Sequence, residues 1–244
     1  RNNLNNFLSI DQFGNKLSVI EKNGYSPRWF SFKDLLISGE NIFISYTEEI
    51  EENCWNTSVL YGKINYENIT FKKLFSPKDC IHSLQNIDGE FNAHQSGGRI
   101  IQFDDNHILL STGDYRSRFL AQDNNSLNGK IIKINTNKFE YEIISLGHRN
   151  PQGLFYDEEE SFILETEHGP QGGDEINLIE IDRVNSNETL NYGWPVASAG
   201  IIAGREASIK YPLVKSHSQN GFIEPLMSFV PAIGISEINK IESN

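Results

Sequence analysis

The sequence predicts an all-β fold of the propeller type. Short apolar runs recur along the chain, several of them alternate apolar and polar residues, and Gly, Asn, Asp and Pro separate them. No long segment keeps a helical period. Regularly spaced short strands indicate a sandwich, a barrel or a propeller. The spacing favours a propeller, because a four-stranded blade takes about 40–50 residues.

Eight segments carry the strand pattern most clearly. They are 41–46 (NIFISY), 58–64 (SVLYGKI), 99–103 (RIIQF), 107–111 (HILLS), 130–134 (KIIKI), 141–145 (YEIIS), 162–166 (FILET) and 176–181 (INLIEI). At this spacing the chain would hold about four to five blades. We expect one domain over residues 1–244 that is cut at both ends, because segment 225–235 (PLMSFVPAIGI) has the pattern of a strand that opens another blade.

Composition excludes some partners. The net charge of -12 argues against nucleic acid and anionic membrane surfaces, and no apolar run approaches the length of a membrane span. The two cysteines, Cys54 and Cys80, leave two alternatives open: a pair of buried thiols, or one disulfide formed in an oxidising compartment.

Two glycine-containing loops carry candidate catalytic and binding side chains. In NAHQSGGR (92–99), His94 precedes a turn, and paired strands could bring Asp114 of STGD beside it, so that the carboxylate holds one ring nitrogen and the other accepts a proton. A loop histidine and a turn aspartate are the plain alternatives. In GHRNPQGL (147–154), Arg149 offers a fork of donors, Asn150 is held extended by the following proline, and Gln152 adds an amide.

A third loop lies in ETEHGPQGGDEINLI (165–179). Its glycines and Pro170 could aim backbone carbonyls at a hard cation such as Ca²⁺, which prefers oxygen ligands. Asp174 and Glu175 are adjacent and would point to opposite faces of a strand, so each could serve a different site. A solvated acidic turn is the alternative.

Together, HQSGGR, STGD, GHRNPQGL, TEHGPQGGDEIN and NYGWP resemble the soluble quinoprotein sugar dehydrogenases. This glucose/sorbosone dehydrogenase family includes the aldose sugar dehydrogenases. The clear resemblance runs from Asn92 to Pro195, and five ordered motifs make it specific. It implies a six-bladed β-propeller that binds pyrroloquinoline quinone (PQQ) and Ca²⁺ and oxidises the anomeric carbon of aldoses to lactones.

The resemblance also implies roles for individual residues. His94 would be the general base, oriented by Asp114, and Arg149 would polarise the quinone as well as bind it. Asn150 would contact the cofactor, and Gln152 lies in the same cofactor-binding loop. The calcium ligands would be the carbonyls of Gly169 and Pro170 for the ion at the cofactor, and Glu175 and Tyr192 for a second, structural ion.

Further expectations follow from the resemblance. His168 stands where the glucose-preferring enzyme carries Gln, so the sequence looks closer to the broader aldose type. The family's other basic cofactor contacts have no counterpart before Asn244, so we expect an incomplete cofactor site. A periplasmic or secreted location is implied, and a disulfide between Cys54 and Cys80 is consistent with it. The expected partners are a sugar and an electron acceptor of unassigned identity, and a homodimer is left open.

Two other functions compete with this prediction. One is a non-catalytic propeller that binds a partner, which the joint presence of His94, Asp114 and Arg149 disfavours because a binding module needs no base. The other is a Ca²⁺-dependent propeller lactonase. Such enzymes surround a central Ca²⁺ with side-chain carboxylates and amides, whereas the loop here offers mostly carbonyls.

Overall fold

The computed structural model describes residues 29–186 and 188–241. The first nine strands are β1 (Phe32–Ser38), β2 (Asn41–Glu51), β3 (Cys54–Lys63), β4 (Lys72–Phe75), β5 (Ile81–His82), β6 (Gly97–Asp104), β7 (His107–Thr112), β8 (Lys130–Asn135) and β9 (Tyr141–Leu146). They are followed by β10 (Pro151–Asp157), β11 (Phe162–Glu167), β12 (Asp174–Glu180), β13 (Leu190–Asn191) and β14 (Met227–Phe229). All eight predicted strand segments coincide with strands.

Three sheets follow one another along the chain. Sheet one has the order β1-β2-β3-β4, with β5 paired to β3; sheet two has β6-β7-β8-β9, with the short β13 parallel to β9; sheet three has β10-β11-β12-β14. The first strands of the sheets meet, because β6 contacts both β1 and β10. This is the arrangement of successive propeller blades, and the three sheets close no ring within the described residues.

The described residues thus build three blades, and residues 1–28 lie outside the description. Much of the chain after β12 forms loops and short helices, among them Ile181–Asn185 and Arg205–Lys210. No described helix is long and apolar enough to cross a membrane.

The last described strand corrects one prediction. Segment 225–235 does not open another blade, because β14 pairs antiparallel with β12 and completes sheet three, as in the pairing of Asp174 with Phe229. The apolar pattern of the segment predicts a strand. It does not predict the pairing partner, because β12 lies far back along the chain.

Two apolar cores lie between the sheets. The first joins sheets one and two and includes Phe43, Val59, Ile108 and Leu110, and the second joins sheets two and three. Leu109, between two residues of the first core, belongs to the second, because successive side chains of a strand point to opposite faces. Burial of each such side chain contributes about 1.5–3 kcal/mol.

The cysteine alternatives are resolved in favour of the disulfide. Cys54, the first residue of β3, is bonded to Cys80, which directly precedes β5. The bond therefore closes the same part of sheet one in which β5 pairs with β3.

Candidate active site

The candidate residues come together because of strand direction. In antiparallel sheets the start of one strand lies beside the end of the next. His94 lies three residues before β6, Asp114 lies just after β7, Arg149 lies between β9 and β10, and Gly169 follows β11. All four therefore lie at the edge formed by the starts of β6, β10 and β12 and the ends of β7, β9 and β11, which we call the loop edge.

Close backbone packing brings the first two motifs into contact. A Cβ on Gly113 would lie 2.2 Å from the carbonyl oxygen of Gln95, so only glycine fits there. Gly97 has φ +59°, and a Cβ on it would lie 3.0 Å from Gly113 N of the STGD turn. The Ser-Gly-Gly turn and the glycine of STGD are thus required by the contact between two loops.

Asp114 is fully buried and accepts hydrogen bonds from two other loops. Its Oδ2 accepts a bond from Trp194 Nε1 at 2.8 Å, and its Oδ1 accepts one from the Arg116 backbone N–H at 2.8 Å. In the amide orientation that satisfies both ends, Gln95 donates to the same Oδ1 at 3.2 Å. Burial raises the pKa of Asp114, and the nearby guanidinium of Arg149 opposes that rise.

The predicted contact between Asp114 and the His94 ring is therefore not formed among the described residues. The side chain of Gln95, the next residue along the chain, takes that place. His94 itself is exposed: its backbone N–H donates to Asn92 Oδ1 at 2.9 Å, and its ring lies edge-on to Trp29 at 5.8 Å. Its role as the base remains a prediction.

Arg149 is held from several sides. Its Nη1 donates to the carbonyl of His168 at 2.7 Å, its Nη2 donates to the Gln95 amide oxygen at 2.9 Å, and its guanidinium lies 5.4 Å from the centre of the Trp194 ring. Desolvation lowers its pKa, and the neighbouring carboxylates of Asp114 and Glu167 oppose that effect.

A cleft of about 270 Å³ opens beside Arg149. Its charged and ring-bearing lining residues are Glu90, Arg116, Arg118, Arg149, Pro170 and Trp194. Three guanidinium groups line the cleft, and Arg118 pairs with Glu90 at 2.7 Å and with the buried side chain of Asp88 at 3.4 Å. Arginines in a cleft suit an anionic ligand, since arginine forks match carboxylates in geometry and charge.

The other two residues of the GHRNPQGL motif have structural contacts. The buried Asn150 accepts the Gly97 N–H with Oδ1 at 3.1 Å and so holds the loop that carries His94. The backbone carbonyl of Gln152 accepts a bond from Arg99 Nε at 3.0 Å. Their contact with a cofactor remains a prediction.

The loop after β11 is a tight turn. A Cβ on Gly169 would lie 1.5 Å from the Gly173 carbonyl oxygen, and the Pro170 carbonyl accepts the Gly173 N–H at 3.1 Å. Gly169 donates its own N–H to Asp174 Oδ1 at 3.2 Å. A carbonyl oxygen has two lone pairs, so the Pro170 oxygen can bind a cation while it accepts this bond.

Asp174 and Glu175 serve different regions, as their adjacency in a strand predicts. Asp174 bonds the loop at Gly169, whereas the buried Glu175 accepts the Ala199 N–H with Oε1 at 3.1 Å. Burial raises the pKa of Glu175 to about 7. Tyr192 donates its hydroxyl to the Leu178 carbonyl at 2.6 Å, and its role as a calcium ligand remains a prediction.

Comparison with known proteins identifies the family of the chain. Residues 36–244 match the sequence profile described as Glucose / Sorbosone dehydrogenase. The chain belongs to the glucose/sorbosone dehydrogenase family. It is 26% identical over 208 residues to the aldose sugar dehydrogenase YliI of Escherichia coli, covering 80% of this chain and 52% of that protein. The chain thus spans about half the length of this curated relative.

Solved structures show the same fold. The soluble aldose sugar dehydrogenase of Escherichia coli in its apo-form superposes with a TM-score of 0.66 at 23% identity, over 86% of this chain and 61% of that one. The PQQ-bound form of the aldose sugar dehydrogenase of Streptomyces coelicolor gives 0.54 at 22% identity, over 79% and 50%. The described residues are therefore part of the propeller of the glucose/sorbosone dehydrogenase family.

Three residues that line the cleft, Arg116, Arg118 and Trp194, were not predicted from the sequence. Arg116 and Arg118 follow STGD directly, and their spacing of two was the available signal, but the segment has the composition of an ordinary polar loop. Tyr115 and Arg116 have positive φ angles of 51° and 64°, which nothing in a non-glycine pair predicts. Trp194 lies in the motif NYGWP, yet only its contacts with Asp114 and Arg149 reveal what it does.

Proposed function

We propose that the whole protein is a PQQ- and Ca²⁺-dependent sugar dehydrogenase that oxidises the anomeric carbon of aldoses to lactones. One observation carries the proposal: three arginines and the Trp194 ring line a cleft at the loop edge, where the family's motifs meet. Family membership and the PQQ-bound form of a relative support it.

The residues present fit such a cofactor. PQQ is a flat tricarboxylate, and the cleft offers three guanidinium groups beside an indole ring. Arg149 has both terminal nitrogens engaged by neighbours, so its orientation is set before any ligand arrives. Preorganised donors of this kind stabilise developing negative charge without reorganisation during the reaction.

When bound, the quinone would accept the hydride from the anomeric carbon of the sugar. A base must take the proton of the anomeric hydroxyl at the same time, and the exposed imidazole of His94 is suited to that role. Arg149 would hydrogen-bond the cofactor and stabilise negative charge on it. Asp114 acts through the Gln95 amide and the Trp194 indole, which hold the guanidinium of Arg149 in place.

Calcium would bind at two places in this proposal. The carbonyls of Gly169 and Pro170 would hold the ion at the cofactor, because the turn that carries them adjoins the cleft, which Pro170 lines. Glu175 and Tyr192 would hold the structural ion. Both sets are oxygen donors, which calcium prefers.

A periplasmic or secreted location belongs to the same proposal. The Cys54–Cys80 disulfide supports it, because disulfides form and persist in oxidising compartments. The preference for aldoses beyond glucose rests on His168.

The test is reconstitution of the full-length protein with PQQ and Ca²⁺, followed by dye reduction with a panel of aldoses. We expect His94→Ala to bind PQQ normally and to lose at least about 10²-fold in kcat, the scale of general base catalysis. His107→Ala is the matched control, since His107 begins β7 at the opposite edge of sheet two, and it should stay fully active. Absence of both cofactor binding and aldose oxidation in the reconstituted protein would refute the proposal.

A further inference from the structure

A group of buried polar side chains in sheet three lies outside the cleft. This buried carboxylate cluster consists of His148, Glu165, Glu167 and Asn177, each with 3% or less of its surface exposed. Glu165 and Glu167 project from the same face of β11, and Asn177 of β12 is the register partner of Glu165. His148 lies between β9 and β10 and brings its ring to the same place.

The donor atoms of the cluster converge. One atom each from His148, Glu165 and Glu167 lie within 4.8 Å of one another, and His148 Nδ1 is 3.6 Å from Glu165 Oε2. The Asn177 amide nitrogen donates to Glu165 Oε2 at 2.8 Å, which leaves the amide oxygen beside the group. Atoms at this spacing can surround one cation at a bond length of about 2.0–2.4 Å.

Three atoms of the cluster are buried without a protein partner. They are His148 Nδ1, Glu165 Oε1 and Asn177 Oδ1. Buried polar atoms are nearly always paired, because an unpaired one keeps the full penalty of leaving water. Two acceptor oxygens and one imidazole nitrogen that lack partners at one place indicate a ligand that accepts electron pairs.

The far side of the imidazole supports this conclusion. His148 Nε2 forms a hydrogen bond with Ser145 Oγ at 2.8 Å, so that Nε2–H can donate and leave the Nδ1 lone pair free. Histidines that bind metals usually donate their other ring N–H in this way.

We propose that the buried carboxylate cluster binds one divalent transition-metal cation. One imidazole nitrogen with two carboxylates and an amide oxygen suits ions of the Zn²⁺ class. Calcium prefers six to eight oxygen ligands and fits poorly. The site is distinct from the proposed structural calcium site at Glu175, although Glu175 is the strand partner of Glu167.

The cluster is also connected to the cleft. Glu167 Oε2 accepts the backbone N–H of Arg149 at 2.6 Å, so one oxygen of Glu167 holds the loop that carries the guanidinium. A cation on the cluster would fix Glu167 and thereby the start of that loop. Since the cluster is closed to solvent, the ion would enter as the chain folds.

Zinc is the probe for the test. The chain is produced in zinc-supplemented medium and dialysed first against EDTA and then against excess Ca²⁺, and bound zinc is measured by plasma mass spectrometry. We expect about one zinc per chain in the wild type and in the control Glu180→Gln, which removes an exposed carboxylate at the end of the neighbouring strand β12. Glu165→Gln, nearly isosteric, and His148→Gln should each retain less than about a tenth of that amount.

Thermal unfolding supplies the second readout. At free zinc about 100-fold above its dissociation constant, the wild type should melt about 5–10 °C higher than zinc-free protein, and Glu165→Gln should show no shift. His148→Gln decides the question where Glu165→Gln yields no soluble protein. If the wild type retains no zinc after dialysis, or if both variants retain it in full, the proposal is wrong. The cluster would then be a pair of protonated carboxyl groups. A shift with Ca²⁺ alone that the wild type shows and Glu165→Gln lacks overturns the metal class. None of these measurements depends on dehydrogenase activity.

Discussion

Replacement of Glu175 by Gln should remove a pH-dependent penalty on folding. Glu175 is buried against Ala199 and Ser198, and desolvation raises its pKa from 4.5 to about 7. The folded state therefore binds the proton more tightly than the unfolded chain. The stability from this group is complete below pH 4.5 and is lost as the pH rises through about 7.

The size of the effect follows from this shift in pKa. Between about pH 5 and pH 8 the wild type should lose about 2–3 kcal/mol of unfolding free energy relative to Glu175→Gln, because glutamine stays neutral throughout. For a chain of this length the difference corresponds to about 5–10 °C in melting temperature. The assay is denaturant unfolding at each pH in buffer with a calcium chelator.

A second glutamate of β12 provides the control. Glu180→Gln, at the exposed end of the same strand, should follow the wild-type profile at every pH. If the stability of Glu175→Gln falls in parallel with that of the wild type between these pH values, the buried carboxyl is not the source of the dependence. Added Ca²⁺ should restore wild-type stability at high pH and leave Glu175→Gln unchanged if the proposed structural ion binds there.

Two further substitutions test the candidate site. Trp194→Phe keeps a ring beside Arg149 but removes the donor to the buried Asp114. The free energy of unfolding, measured by denaturant titration, should therefore fall by about 1.5–3 kcal/mol. A loss within experimental error would show that Asp114 does not need this bond. Gly169→Ala places a methyl group against the Gly173 carbonyl oxygen and should lower both the melting temperature and the affinity for PQQ. Gly172→Ala meets open space at φ +79° and should lower the free energy of unfolding by only about 1 kcal/mol. Equal effects of the two substitutions would contradict the close contact at Gly169.

The strands of the fold were predictable because burial imposes a short period on the sequence. Even β7, whose central residues are all apolar, fits the pattern, since Leu109 faces one core while Ile108 and Leu110 face the other. Pairing between distant segments was not predictable. The pairing of β14 with β12, near Asp174 and Phe229, depends on the loops between them, which have no period to read.

The candidate site was predictable to the level of its loops and not of its contacts. The motifs identified His94, Asp114 and Arg149, and antiparallel strands bring their loops to one edge. The side chain of Asp114 bonds to Gln95 and Trp194, and not to the ring of His94 as the sequence predicts. Side-chain direction in an irregular loop depends on backbone angles that the residue types do not determine.

The hydrogen bonds at the loop edge form an ordered series. Glu167 at the end of β11 accepts the Arg149 N–H, and its pKa also reflects a bond from the Asn150 N–H. Asn150 in turn accepts the Gly97 N–H with its side chain and so positions the loop that carries His94. One buried carboxylate therefore contributes to the position of both glycine-containing loops. Substitution of Glu167 should therefore displace both Arg149 and the loop that carries His94. Neither of these side chains forms a described hydrogen bond with the Glu167 carboxylate.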